Sequence, residues 1–247
     1  MTRAVPALIV VLTAAVSAGA AWASGAHSKD DPHGEPRLFW GAGAEVDGSD
    51  VGWLDGDTGT LATWDAYAWY GGDDVKLRLE AEGDAFDGDV GSSELRGLVS
   101  WNVADFWDAQ AGVRHDFAPD PLTWAVIGVQ GLAPYFFETE ARLFVSENAD
   151  VAFRFEQTYE LLFTQQLILE PHIELNAYAQ DIPELGVGAG LADVEAGLRL
   201  RYEITRQFAP YVDLVYERDV GETALITRAA GEDVENTTLR LGLRIRL

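Results

Sequence analysis

The sequence predicts an all-β protein: a closed antiparallel transmembrane β-barrel of about 12 strands, behind a signal peptide and a short flexible leader. Three observations predict it. The first is period-two alternation. Val75, Leu77, Leu79 and Ala81 alternate with Lys76, Arg78, Glu80 and Glu82, and Leu239, Leu241, Leu243, Ile245 and Leu247 alternate with Arg240, Gly242, Arg244 and Arg246. Successive strand side chains face opposite ways, so each segment has one apolar face and one charged face. The second is that the connections alternate between long and short, the pattern of barrels with long outside loops and short periplasmic turns. The third is that aromatic residues gather near segment ends (Trp40, Trp64, Tyr70, Trp101, Trp107, Tyr135, Tyr178, Phe208 and Tyr216), where amphipathic rings suit the two bilayer interfaces. A soluble sandwich or barrel also alternates, with its apolar face inward. These features favour the membrane form, with charges in the lumen.

Along the chain, Arg3 and the apolar run 4–20 precede Ala21-Trp22-Ala23, a small-x-small cleavage site, so residues 1–23 read as a secretory signal peptide. Residues 24–36, SGAHSKDDPHGEP, read as a flexible periplasmic leader. The barrel is expected over 37–247, with strands at 37–46, 61–70, 73–82, 93–101, 106–116, 122–130, 135–145, 150–159, 166–177, 192–203, 210–219 and 237–247. Each is near the 9–11 residues a tilted membrane strand needs. The odd connections, 47–60, 83–92, 117–121, 146–149, 178–191 and 220–236, are expected outside. The even ones, 71–72, 102–105, 131–134, 160–165 and 204–209, are expected in the periplasm. A last strand running to Leu247 can close against the first and remove both sheet edges.

Composition narrows the chemistry. With 17 Lys+Arg against 41 Asp+Glu the chain carries a net charge of −24, which argues against a nucleic-acid binder. There is no Cys, which removes disulfides, thiolate metal sites and Cys nucleophiles together. Cleavage takes away Met1, the one Met. The acids crowd the expected outside loops: Asp47, Asp50, Asp55 and Asp57 in the first, Asp84, Asp87 and Asp89 in the second, Glu222, Glu232, Asp233 and Glu235 in the last. Such a rim would concentrate cations at the mouth, or bridge to lipopolysaccharide through divalent ions.

Several stretches carry a family likeness: PRLFWGAGAEVD (36–47), WDAYAWYGGDDVKLRLEAEG (64–83), AGVRHDF (111–117), IGVQGLAPYFFE (127–138), Phe163-Thr164-Gln165-Gln166-Leu167-Ile168-Leu169-Glu170-Pro171, GVGAGLADVEAGLRLRYEITRQFAPYV (186–212) and RAAGED (228–233). Over residues 33–247 the chain resembles copper resistance protein B, an outer-membrane family. The resemblance implies an outer-membrane barrel of Gram-negative bacteria that binds copper ions or passes them across the membrane in copper tolerance. It also implies a periplasmic multicopper oxidase as companion. The family's Met- and His-rich N-terminal segment is reduced here to His27 and His33, beside Asp30, Asp31 and Glu35.

Any copper site must then use imidazole and carboxylate, a donor set suited to Cu(II) rather than Cu(I). Glu170, His172, Glu174 and Asn176 share the lumen parity of strand 166–177, so Glu170, His172 and Glu174 are the first candidate metal ligands. The other reading of these acids is a lumen network with inward arginines such as Arg199, Arg201, Arg240 and Arg244. Acids expected to pair with those four are Glu174, Glu195 and Glu203, with Asp213 and Glu217 lying among them. His27 and His33 are the second candidate ligands. His115 falls on the outward parity, as an interfacial ring. Coordination needs a neutral imidazole, so binding is expected to weaken below about pH 6.5. No catalytic constellation is read, and the chain is expected not to be an enzyme. A small-solute channel or structural barrel without a specific copper site is the alternative.

Overall fold

Alternation sets the architecture. In a membrane barrel, a strand with one apolar and one charged face satisfies both when the apolar face meets lipid and the charged face lines an enclosed lumen. The computed structural model describes residues 38–50 and 59–247. Its strands are β1 Phe39–Asp50, β2 Thr60–Gly71, β3 Val75–Phe86, β4 Asp89–Ala104, β5 Trp107–Ala118, β6 Leu122–Ala133, β7 Phe137–Ser146, β8 Val151–Thr158, β9 Leu167–Tyr178, β10 Gly190–Tyr202, β11 Phe208–Asp219 and β12 Glu235–Arg246. Each pairs antiparallel with its chain neighbours, and β12 pairs with β1 through Glu45↔Arg244, which closes the barrel. At Tyr159 and Glu160 the chain leaves the ladder, and Leu161–Leu162 rejoins it opposite Ile168 and Leu169. No described helix is long and apolar enough to cross a membrane.

The lipid face falls where the alternation puts it. Leu77, Leu79, Leu198, Leu200, Leu241, Leu243 and Ile245 are all exposed on the outer wall. Trp40, Tyr70, Trp101, Tyr135, Phe208 and Tyr216 are exposed near strand ends. Tyr178 departs from the expected belt: it turns inward and packs against buried apolar side chains. His115 faces outward as expected, its Nδ1 3.0 Å from Thr123 Oγ1 and its ring edge-on to Phe117 at 4.7 Å.

Two expected loops are corrected. Over 83–92 there is no long loop, because β3 and β4 continue to Phe86↔Asp89 with a bulge at Asp84/Ala85. Asp87 and Gly88, with φ of 51° and 91°, make the tight hairpin turn that needs positive φ at both central positions. Asp47 belongs to β1 rather than to a loop. It points into the lumen, where Thr63 and Tyr211 donate to its carboxylate at 2.5 and 2.8 Å. The last odd connection is not wholly irregular, since Gly221–Ala230 forms helix α1. Asp55, Asp57, the signal segment and the leader with His27 and His33 lie outside the described residues.

Candidate functional site: the barrel lumen

The lumen is filled by two chemically distinct zones. Toward the end bearing the odd connections, Leu98, Leu122, Trp124, Val126, Phe144 and Ala152 pack into an apolar cluster. The 179–189 connection bends into it: Ile182 is 1% exposed, with Leu185 and Val187 beside it. A bridge between Ile182 and Val187 and the 3-10 turn Pro183–Leu185 hold that bend. Helix α1 lies against it, with Thr223 and Ala224 buried and Gly188 N–H donating to Thr223 Oγ1 at 3.0 Å. Trp124 Nε1 donates to Asp116 Oδ2 at 2.7 Å, and the Arg114 guanidinium lies 5.2 Å from the Phe144 ring. These contacts join the apolar zone to the charged one.

The charged zone is a web of ion pairs. Arg96, 2% exposed, meets Glu80 at 3.1 Å, Glu94 at 3.0 Å and Glu82. Arg142 meets Glu80 at 2.8 Å and Glu140 at 2.7 Å. On the opposite wall Arg199 joins Glu45 at 2.5 Å and Asp213 at 2.8 Å. Arg244 joins Glu45 and Glu170, and Arg201 joins Glu170, Glu160 at 2.9 Å and Glu203 at 3.3 Å. The four arginines expected inward are inward. Arg199–Asp213, Arg240–Glu217 and Arg201–Glu203 pair as the parity suggested. Glu174 and Glu195 take other partners. Where these charges are buried they persist because each of those named is met by an opposite one.

The candidate ligands share the lumen face but not a common neighbourhood. Glu170 is held by Arg201 and Arg244, while Glu174 is held by Asn176 at 2.8 Å and Arg154 at 3.4 Å. His172 instead faces two acids, one from the neighbouring strand β10 and one from β11 beyond it. Its Nε2 lies 3.6 Å from Glu195 Oε1 and 4.0 Å from Asp213 Oδ2. Gly197, directly opposite, makes room for the ring: a Cβ there would stand 2.2 Å from Cε1 and Nε2. Among the described residues His172 is the one histidine in the lumen, and no three His, Asp or Glu side chains are closed around a single ion-sized point. The neighbours Glu195 and Asp213 were missed as partners because parity gives the face of a side chain, whereas register decides what lies beside it.

At the end bearing the short even connections a cavity of about 560 Å³ penetrates the lumen. Lys76, Asp108, Gln130, Glu138, Glu140 and Glu156 are among its lining residues. Polar side chains dominate this end, and the opposite end is the one packed with apolar side chains.

Comparison with known proteins agrees with this architecture. Residues 48–247 match the family model described as Copper resistance protein B precursor. A Copper resistance protein B homolog from Pseudomonas syringae pv. tomato is 43% identical over 194 residues, 78% of this chain. Copper resistance protein B from Escherichia coli is 40% identical over the same length. The match spans 66% of each relative, just under two thirds of its length. Among solved structures a NanC porin superposes with a TM-score of 0.53 at 11% identity, covering 85% of this chain and all of that one. That likeness shows the barrel fold.

Proposed function

The chain belongs to the copper resistance protein B family, an outer-membrane barrel family, and from that premise we propose that its lumen receives copper ions and holds them weakly through nitrogen and oxygen donors. The observation that carries this reading is His172, the lumen's imidazole among the described residues, set between Glu195 and Asp213 in a wall rich in carboxylates. Copper enters from the polar cavity at the end bearing the short turns, which faces the periplasm in this reading. No bond is made or broken, so the protein acts without catalysis. A periplasmic multicopper oxidase would be the supplier or receiver of the ion on that side, and lipid with lipopolysaccharide surrounds the outer wall.

A non-selective solute channel would need two open mouths. The buried Trp124–Phe144–Ile182 cluster at one end weighs against that reading. The test is a Cu(II) titration of the refolded full chain. Saturable binding that survives deletion of residues 24–36 and falls on His172→Ala supports the lumen reading. Binding unaffected by His172→Ala and lost with 24–36 would move copper to His27 and His33.

A further inference from the structure

Strand register reveals an arrangement that the one-dimensional pattern conceals. Glu140 on β7 stands directly opposite Glu156 on β8. Glu156 stands opposite Glu174 on β9, Glu174 opposite Glu195 on β10, and Glu195 opposite Glu217 on β11. Five glutamates thus occupy one unbroken cross-strand row on the lumen face. Like charges directly opposite destabilise a sheet, so such a row opposes folding unless something cationic meets it.

The row also climbs. Glu140 lies three residues from the first residue of β7, at the end with the short turns, and Glu217 lies two residues from the last residue of β11, at the other end. Barrel strands tilt by about 35–45° and sit about 4.8 Å apart, so four steps across the row rise roughly 12 Å along the barrel axis. Its lower members, Glu140 and Glu156, line the polar cavity.

A second row provides the comparison. Glu45, Asp65, Glu82, Glu94 and Asp116 are likewise opposite one another on β1 to β5. Four of its five members are braced: Arg199 and Arg244 meet Glu45, Arg96 and Arg154 meet Glu82, Arg96, Arg114 and Arg154 meet Glu94, and Arg114 meets Asp116, while Asp65 makes no ion pair among the described residues. In the glutamate row no member has more than one basic partner among the described residues. Arg142 is shared by Glu80 and Glu140, and Arg154 by Glu82, Glu94 and Glu174, which leaves Glu156 without an ion pair.

Buried polar groups without partners lie beside the upper part of the row. Asp213, fully buried, has no hydrogen-bond partner for Oδ1, on the same carboxyl group whose Oδ2 faces His172. Thr238, 3% exposed and two residues along β12 from Asn236, the residue opposite Glu217, has no partner for Oγ1. A buried carboxylate oxygen left unpaired is costly unless a cation or donor visits it.

We propose that Glu140, Glu156, Glu174, Glu195 and Glu217 form the path of a divalent cation through the lumen, with His172 and Asp213, whose Oδ1 is unpartnered, as its holding point. This rests on the copper reading above and names the path within it. Carboxylates spaced along a path bind strongly enough to admit an ion and weakly enough to pass it on, which a closed cage would not do.

The test uses the full chain refolded into phospholipid vesicles, with Cu(II) as the probe and an entrapped copper-quenched dye as the readout. Glu156→Gln should slow copper entry about tenfold, because it removes the one member of the row that makes no ion pair among the described residues. Glu156→Asp should restore most of it. Glu82→Gln, in the other row and braced by Arg96 and Arg154, should change entry by less than about twofold. His172→Gln should remove nitrogen coupling from the electron paramagnetic resonance spectrum of bound Cu(II). Heat-modifiable gel mobility reports that each variant is folded. If Glu156→Gln and Glu82→Gln behave alike, the path is overturned. If His172→Gln keeps the nitrogen coupling, the holding point is overturned. A parent chain that binds and admits copper in those cases leaves the copper reading standing, whereas a parent that does neither removes both.

Discussion

Placing a charge on the outer wall measures where the bilayer lies. Leu198 is half exposed on β10, flanked across the sheet by Pro171 and Leu214. It sits two positions from Ala196, the midpoint of Gly190–Tyr202. At about 3.3 Å per residue and a tilt near 40°, that is roughly 5 Å from mid-membrane. An arginine at the midplane of such a barrel costs about 2–4 kcal/mol, falling to about 0–1 near the interfaces, so Leu198→Arg should cost about 2–3 kcal/mol. Leu225 is as exposed as Leu198 but lies on α1, outside the strands. Leu225→Arg should therefore change stability by no more than about 0.5 kcal/mol. Equilibrium guanidinium unfolding in phospholipid vesicles, followed by tryptophan fluorescence, gives both values. Equal costs for the two variants, or a negligible cost for Leu198→Arg, would refute the assignment of this face to lipid.

Further predictions address the lumen. Gly197→Ala forces the His172 ring to move, because the added methyl would stand 2.2 Å from it; copper affinity should fall while the barrel stays folded, and an unchanged titration would take the imidazole out of the site. Arg96→Met takes one cation from Glu80, Glu82 and Glu94, which keep Arg142, Arg154 and Arg114; unfolding should become easier by about 1–3 kcal/mol, the usual cost of a lost partner at a buried polar group, and a cost under about 0.5 kcal/mol would show that water screens this zone. Ile182→Asp puts a charge into the apolar cluster and should free the 179–189 connection; single-channel conductance in planar bilayers should rise, and an unchanged trace would mean this cluster does not seal the mouth. Copper binding should weaken as pH falls through the imidazole range, about 8 to 5, since protonation removes the nitrogen donor. A flat profile would assign binding to carboxylates alone.

Much of this fold was legible because period-two alternation is a direct consequence of a wall with lipid on one side and charge on the other. All twelve strands, the outward leucines and the inward arginines follow from it. The 83–92 hairpin was not legible, because Asp87-Gly88 turns the chain in two residues while the surrounding acidic and glycine residues look like loop. The folded-in 179–189 connection escaped because Ile182, Leu185 and Val187 are too few and irregular to announce a buried segment. The site was half legible. His172 was placed on the lumen face, but its neighbours Glu195 and Asp213 lie 23 and 41 positions away in sequence, from 195 − 172 and 213 − 172. Only the stagger of β9, β10 and β11 brings them together. The glutamate row is hidden for the same reason: its members fall on five strands and share no local motif.

The most direct test of the central claim is anomalous scattering at the copper edge from crystals of the full chain soaked in Cu(II). The account predicts copper density inside the barrel, within coordination reach of His172 and of Glu195 or Asp213, and weaker density along Glu156 and Glu174. Copper confined to the outer surface, with the lumen empty at saturating Cu(II), would contradict it.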